Sequence, residues 1–220
     1  MARPLTLSRR QREKADRQAA ILDAAREVFF KQGFRDATVE AIAARAQVAK
    51  GTVYIYFRSK ETILATLLLE GLDSLYQRLE AAYAAASPQA EARLRALAAA
   101  YLQFYLDEQD YFRLMMAFDR GHFRESIRPE LYENILRRSL DGLHWLVRGI
   151  EQGIAEGQFA PGEPRHLAGA AWAALNGVLV LISHPLRREL LAQDAPTLYE
   201  RVLDLILAGL KARPPKAAGD

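Results

Sequence analysis

A chain of 220 residues, 50% hydrophobic and 26% charged, is long enough to bury one or two cores and too apolar to be disordered. Having no cysteine excludes disulfides, thiolate metal sites and cysteine nucleophiles, and fits a reducing compartment. The net charge of +3 is unevenly spread: residues 1–62 carry thirteen Lys/Arg against seven Asp/Glu, a balance of +6 that leaves −3 for the rest, so a polyanion would meet one end of the chain; a solvated basic tail accounts for the same charge.

The N-terminus MARPLTLSRRQREK is polar and basic and lacks the apolar run of a signal peptide. No uninterrupted apolar stretch approaches the roughly 18 residues of a membrane-spanning helix, so a soluble, cytoplasmic protein with no membrane partner is expected. Between Gln18 and Gln32, Ile21, Leu22, Ala25, Val28 and Phe29 recur at helical spacing, and Gly33 stops the run. Thr38 can cap a short second helix, VEAIAARA, with Ile42 and Ala43 facing inward. Residues 48–60, VAKGTVYIYFRSK, give a third helix of barely two turns, built from glycine, threonine, valine and isoleucine, which are poorer helix formers than Ala or Leu. Ser59 can cap a fourth, which continues through Leu64, Leu67, Leu68, Leu72, Leu75 and Leu79 until Ser87-Pro88. Further helices fall at about 89–107, 110–120, 128–156, 164–184 and 196–212, separated by Gly121, by GQFAPGEP and by the region around Pro185. With no alternating strand pattern and no internal repeat, the fold class is all-α. Three short N-terminal helices (domain 15–62) feed a larger helical bundle (domain 63–213), and the tail RPPKAAGD is expected to fray.

Two short helices joined by a tight turn, the second basic, make a helix-turn-helix pattern. Ile42, Ala43, Val48, Val53 and Phe57 supply a small core with the first helix, which leaves Lys50, Gly51, Thr52, Tyr54 and Tyr56 largely outward. Those outward residues suit DNA. A lysine neutralises phosphate, a threonine meets phosphate or a thymine methyl, tyrosine hydroxyls reach phosphate oxygens, and Gly51 permits close backbone approach. Lys60, in the first turn of the fourth helix, is placed for a phosphate. Taken singly, each tyrosine reads equally as half-buried packing and each lysine as a solvated charge; the combination points to DNA. The arm RRQREKADR ahead of the first helix reads as a disordered tail or as a weak electrostatic contact with phosphates or a minor groove.

Residues 21–68 closely resemble the DNA-binding domain of the tetracycline-repressor (TetR) family of bacterial transcription regulators. The matching features are A-A-x-x-x-F at 24–29, G-F at 33–34, T-V-x-x-I-A at 38–43 and K-G-T-V-Y-x-Y-F-x-S-K-E at 50–61. The resemblance implies a homodimer on a palindromic double-stranded DNA operator, a C-terminal domain that binds a small-molecule effector, and repression relieved by that effector. It places phosphate contacts on Thr38, Tyr54, Tyr56 and Lys60, and base-facing or groove-entering positions on Arg45, Lys50, Gly51 and Thr52. Two residues depart from the family pattern: Gln47 stands at a turn position that is often glycine, and Ala49 replaces a frequent serine, removing a helix cap.

No motif marks residues 84–220. The segment 101–123 is rich in Phe and Tyr and contains two methionines, the composition of either an ordinary core or an adaptable apolar pocket. Phe104, Tyr105, Tyr111, Phe112, Met115, Met116 and Phe118 are candidate pocket residues, with Trp145, Trp172, Leu175, Asn176 and Leu179 as the other wall; a hydrophobic fatty-acyl or aromatic effector would suit them. The four histidines show no paired spacing, and Asp119, His122 and Glu125 read as a solvent-exposed cluster, so neither metal nor other cofactor is expected. No nucleophile motif or acid/base pair suggests an enzyme. Small and bulky residues share helix 164–184, where Ala170, Ala173, Ala174, Gly177 and Leu181 join Leu198, Val202, Leu205 and Ile206 of the last helix. These stripes either complete the bundle or, as the resemblance implies, form a two-fold interface. A constitutive DNA-binding or protein-docking module without an effector, and a transcriptional activator, fit the same residues.

Overall fold

The computed structural model describes residues 8–119, 123–191 and 193–211. These form eleven helices: α1 (Arg9–Asp36), α2 (Val39–Arg45), α3 (Lys50–Tyr56), α4 (Lys60–Ala85), α5 (Ala90–Asp107), α6 (Gln109–Asp119), α7 (Phe123–Ser126), α8 (Pro129–Ala155), α9 (Pro164–Ile182), α10 (Pro185–Leu191) and α11 (Ala195–Leu210). The only β-type pairing among the described residues is an isolated bridge between Phe159 and Lys211, and the fold is all-α. The tail RPPKAAGD, Gly121 and His122 lie outside the described residues.

α1 starts earlier than its apolar pattern suggests, and the basic arm RRQREKADR is its first turns. Ser8 and Gln11 close a capping box: the Gln11 N–H donates to Ser8 Oγ at 3.2 Å and the Ser8 N–H donates to Gln11 Oε1 at 2.8 Å. Gly33, at φ +77°, kinks the helix near its end, a conformation that any side chain would strain. Thr38 caps α2 by accepting from the Ala41 N–H at 3.1 Å, and Ser59 accepts from the Thr62 N–H at 3.2 Å in the first turn of α4. The short helices α7 and α10 have no counterpart in the sequence pattern.

The chain divides into two compact units, residues 1–71 with 110–136, and residues 72–109 with 137–220. In the first, Ile21, Phe29, Ile42, Val53, Phe57, Ile63, Leu64 and Leu67 build one core with Leu114 and Phe123. Phe34 joins it edge-on to Phe29, with ring centroids 5.5 Å apart. Above this core Arg26 donates to Asp23 (2.6 Å), Glu70 (2.7 Å) and the Tyr111 hydroxyl (3.0 Å). Burial opposes its charge, but these three partners outweigh the cost and raise its pKa.

In the second unit α9 packs on α5, α10 and α11. By length and composition α9 is apolar enough to cross a membrane, an exception to the sequence reading; its Ala168, Leu175, Leu179 and Ile182 are buried within this unit. α8 ends in a glycine-capped turn: Gly157, at φ +69°, donates to Ile154 O at 3.1 Å and Gln158 to Gly153 O at 2.8 Å. The chain then turns back so that buried Phe159 lies on Gly153, and Ala160 N–H bonds to Leu210 O at 2.8 Å.

Candidate nucleic-acid interface

α2, the turn 46–49 and α3 make the helix-turn-helix, and backbone bonds set its angle. Val48 N–H donates to Ala43 O at 3.0 Å, and Gln47 sits at φ +55°, the left-handed conformation that glycine adopts more cheaply. Val53 is fully buried and Phe57 nearly so, which fixes the inward face of α3. Tertiary packing of these two side chains sustains a seven-residue helix whose propensity is poor. Ala49 occupies the cap position with extended geometry and no side-chain bond. Ala49→Ser is therefore expected to stabilise the protein by about 1 kcal/mol, seen as a higher melting temperature; an unchanged transition would show that the open N–H groups gain nothing from a side-chain cap.

The outward residues follow from that anchoring. Lys50, Gly51 and Tyr54 are exposed, Thr52 and Tyr56 are half-buried, and no atom lies within 4 Å of a side chain added at Gly51. Tyr56 packs partly on the core, so only one edge of it faces out. Thr38 is exposed at the start of α2, and its hydroxyl, which accepts from Ala41, keeps its own proton for another acceptor.

The cations are already engaged. Arg45 grips Glu27 of α1 through both arms of its guanidinium, Nε to Oε2 at 2.5 Å and the terminal nitrogen to Oε1 at 2.7 Å. Lys50 donates to the Glu40 carboxylate, which lowers the Glu40 pKa and raises that of Lys50, and its ammonium lies 5.9 Å from the Tyr54 ring centroid. Lys60, expected at a phosphate, is held by backbone carbonyls in the free chain. Its ammonium donates to Phe34 O and Ala37 O, both at 2.8 Å, and to Arg35 O at 3.3 Å, over the Phe34 ring. With three donors on three carbonyls, Lys60 closes the end of α1, and a phosphate would have to take over one of those donors.

One outward residue escapes a reading based on side-chain chemistry. Ile55 is 76% exposed in the last turn of α3, and an apolar β-branched side chain in that place suits a thymine methyl. Its position two residues after Val53 and two before Phe57 was the available signal, since those two fix the inward face.

Residues 21–67 match the family described as bacterial regulatory proteins, tetR family, and residues 94–206 match the tetracyclin repressor-like C-terminal domain. The chain belongs to the TetR family. Its helix-turn-helix is thus that of a DNA-binding transcription regulator. The fatty acid metabolism regulator protein of Bacillus subtilis is 39% identical over 69 residues, 31% of this chain and 36% of that protein; the match spans well under two thirds of the relative. A tetR-family regulatory protein from Rhodococcus RHA1 superimposes with a TM-score of 0.69 at 25% identity, covering 90% of this chain and 98% of that one. The regulator FadR from Bacillus subtilis, solved in complex with stearoyl-CoA, gives a TM-score of 0.69 at 23% identity over 87% of this chain and 98% of its own.

The pocket candidates of this TetR-family protein are shared between the two units. Tyr111, Phe112, Met115, Met116 and Phe118 belong to the first, where Phe112 is buried; Phe104, Tyr105, Trp145, Trp172, Asn176 and Leu179 belong to the second. Within the second, Phe104 and Leu179 are fully buried, and Asn176 accepts from the Tyr101 hydroxyl at 2.8 Å. Trp172 is 48% exposed, on α9 alongside exposed Ala170, Ala173 and Ala174. Leu181 and Leu205 are exposed too, while Gly177, Leu198, Val202 and Ile206 are half-buried. Of the expected acidic cluster, Glu125 is exposed, and the Asp119 side chain and His122 lie outside the described residues.

Proposed function

We propose that this regulator is a repressor that binds a palindromic operator as a homodimer and is released by a small hydrophobic effector. The observation that carries the DNA half is α3 itself: Val53 and Phe57 hold it while Lys50, Gly51, Thr52, Tyr54 and Ile55 face out from it. Thr38, Tyr54, Tyr56 and Lys60 are assigned to phosphates, and Arg45, Lys50, Gly51, Thr52 and Ile55 to the groove. Residues 15–62 and 63–213 act as the DNA-binding and effector domains.

The exposed apolar face of α9 and α11 supports self-association. An acyl effector is supported by the FadR relative, whose structure holds stearoyl-CoA, and by an aromatic cluster in the second unit. There the Tyr83 ring lies 4.9 Å from Trp145 and 4.5 Å beneath the Arg93 guanidinium. Trp145 Nε1 and Arg93 Nε are buried without an acceptor among the described residues, and a ligand carbonyl or carboxylate would satisfy them. Release follows if the effector prefers a conformation whose recognition helices no longer match the operator. The site of action is the cytoplasm.

Selection of the operator from random DNA tests the first half. With that operator in hand, stearoyl-CoA or a free long-chain fatty acid at about 100 times its dissociation constant should stabilise the chain by about 2.7 kcal/mol and weaken operator binding. Stabilisation without release would assign the ligand another role, and neither effect with any apolar compound would make the protein a constitutive DNA-binding module.

A further inference from the structure

The two groove-facing cations of the DNA reading are each paired with a carboxylate. Arg45 is clamped by Glu27 across 18 positions of sequence, and Lys50 by Glu40 across ten. All four side chains are more than half exposed, Arg45 and Glu27 at 56% each, Lys50 at 51% and Glu40 at 61%, so neither pair exists to satisfy a buried charge. Exposed ion pairs contribute little to stability. Their effect is felt instead at the surface that meets the phosphates, where they cancel the local positive potential.

We propose that Glu27 and Glu40 are selectivity residues, each holding the head of a groove-facing cation so that the cation is released only where operator contacts outbid the carboxylate. The proposal rests on the DNA-binding reading of α2 and α3. Non-specific binding is driven by the number of cations that displace counterions from the phosphates. With both pairs closed, Arg45 and Lys50 add nothing net to that number on any DNA. On a matching site a guanine edge offers Arg45 two parallel acceptors, the same bidentate geometry that Glu27 supplies, and the exchange becomes favourable. A lone phosphate offers Arg45 a pairing of the same kind as the carboxylate it would leave, so that exchange by itself gains nothing. The carboxylates thus tax every complex, and only the matched one recovers the cost.

The test uses the full-length chain with Glu27→Gln, Glu40→Gln and, as a charge-matched control in the second unit, Glu151→Gln. Affinity is measured for the selected operator and for a scrambled duplex across a salt series. Each interface variant should bind the scrambled duplex about 3- to 10-fold more tightly, steepen its salt dependence by about 0.9 in log–log slope for the freed cation, and lower the ratio of operator to scrambled affinity. The melting temperature and the control should stay at the wild-type values, which separates this from a structural role. If wild type discriminates between the duplexes and both variants keep its affinities and slope, the proposal is overturned while the DNA-binding reading stands. If wild type binds neither duplex, both are overturned.

Discussion

Leu205→Glu is expected to turn the protein into a monomer and to lower operator affinity by about 100-fold or more, the scale on which linking two binding modules raises avidity. Leu205 is 73% exposed on α11, between Leu203 and Leu207, which are buried. The substitution therefore removes no core contact, and the monomer should remain helical with little change in folding. In a dimer built on α9 and α11 the same position would be buried, and a carboxylate taken out of water without a partner is costly. Sedimentation reads the outcome directly. A variant that still sediments as a dimer would move the interface away from α11, and a wild-type protein that sediments as a monomer would remove the dimer from the proposal.

Gly153→Ala should be the most damaging single methyl in the second unit. An added Cβ would stand 2.0 Å from Cδ2 and 2.2 Å from Cε2 of Phe159, and Phe159 is only 2% exposed, so the ring has nowhere to retreat. Its own N–H is bonded to Gly153 O at 3.0 Å, which ties the ring to the backbone it would have to leave. Overpacking of this kind costs about 3 kcal/mol or more, and the melting temperature should fall by about 6–12 °C for a domain of this size. Gly142→Ala, on the same helix, is the informative contrast. Its Cβ would meet only Leu79 Cδ1, at 3.7 Å, an ordinary contact, so the gain in helix propensity of about 0.5–1 kcal/mol should raise stability. Equal losses at the two glycines would point to helix geometry and clear Phe159.

The helical class and the two anchors of α3 were legible in the sequence because both rest on spacing. Apolar residues at i and i+4 define a face, and Val53 with Phe57 is such a pair. The same rule applied to Ile55 would have placed it outward, but outward residues are easier to choose by chemistry than by angle. Ser8 and Gln11 carried a legible capping signal for the start of α1, overshadowed by the charge of the arm it opens. α10 begins on Pro185, and a proline that reads as a break serves equally as a first helical residue. The pairing of Arg45 with Glu27, and of Lys60 with three carbonyls, was beyond reach. These contacts join residues 18 to 26 positions apart, and depend on angles between helices that no local pattern encodes. The candidate interface was thus legible as a set of residue types and illegible as a set of partners.

Lys60 bears on how the chain reaches this structure. The carbonyls of Phe34, Arg35 and Ala37 face a side chain that arrives more than twenty residues later. During synthesis the corner after the Gly33 kink emerges first, and its carbonyls stay bound to water until α4 brings the ammonium. Closing that loop costs chain entropy before any bond is gained, so the corner sets together with the start of α4 rather than before it. α1 and α2 share the core of Ile21, Phe29 and Ile42, and the first turn of α4, the helix that leads out of the DNA-binding fold, adds the cation that closes the corner between them.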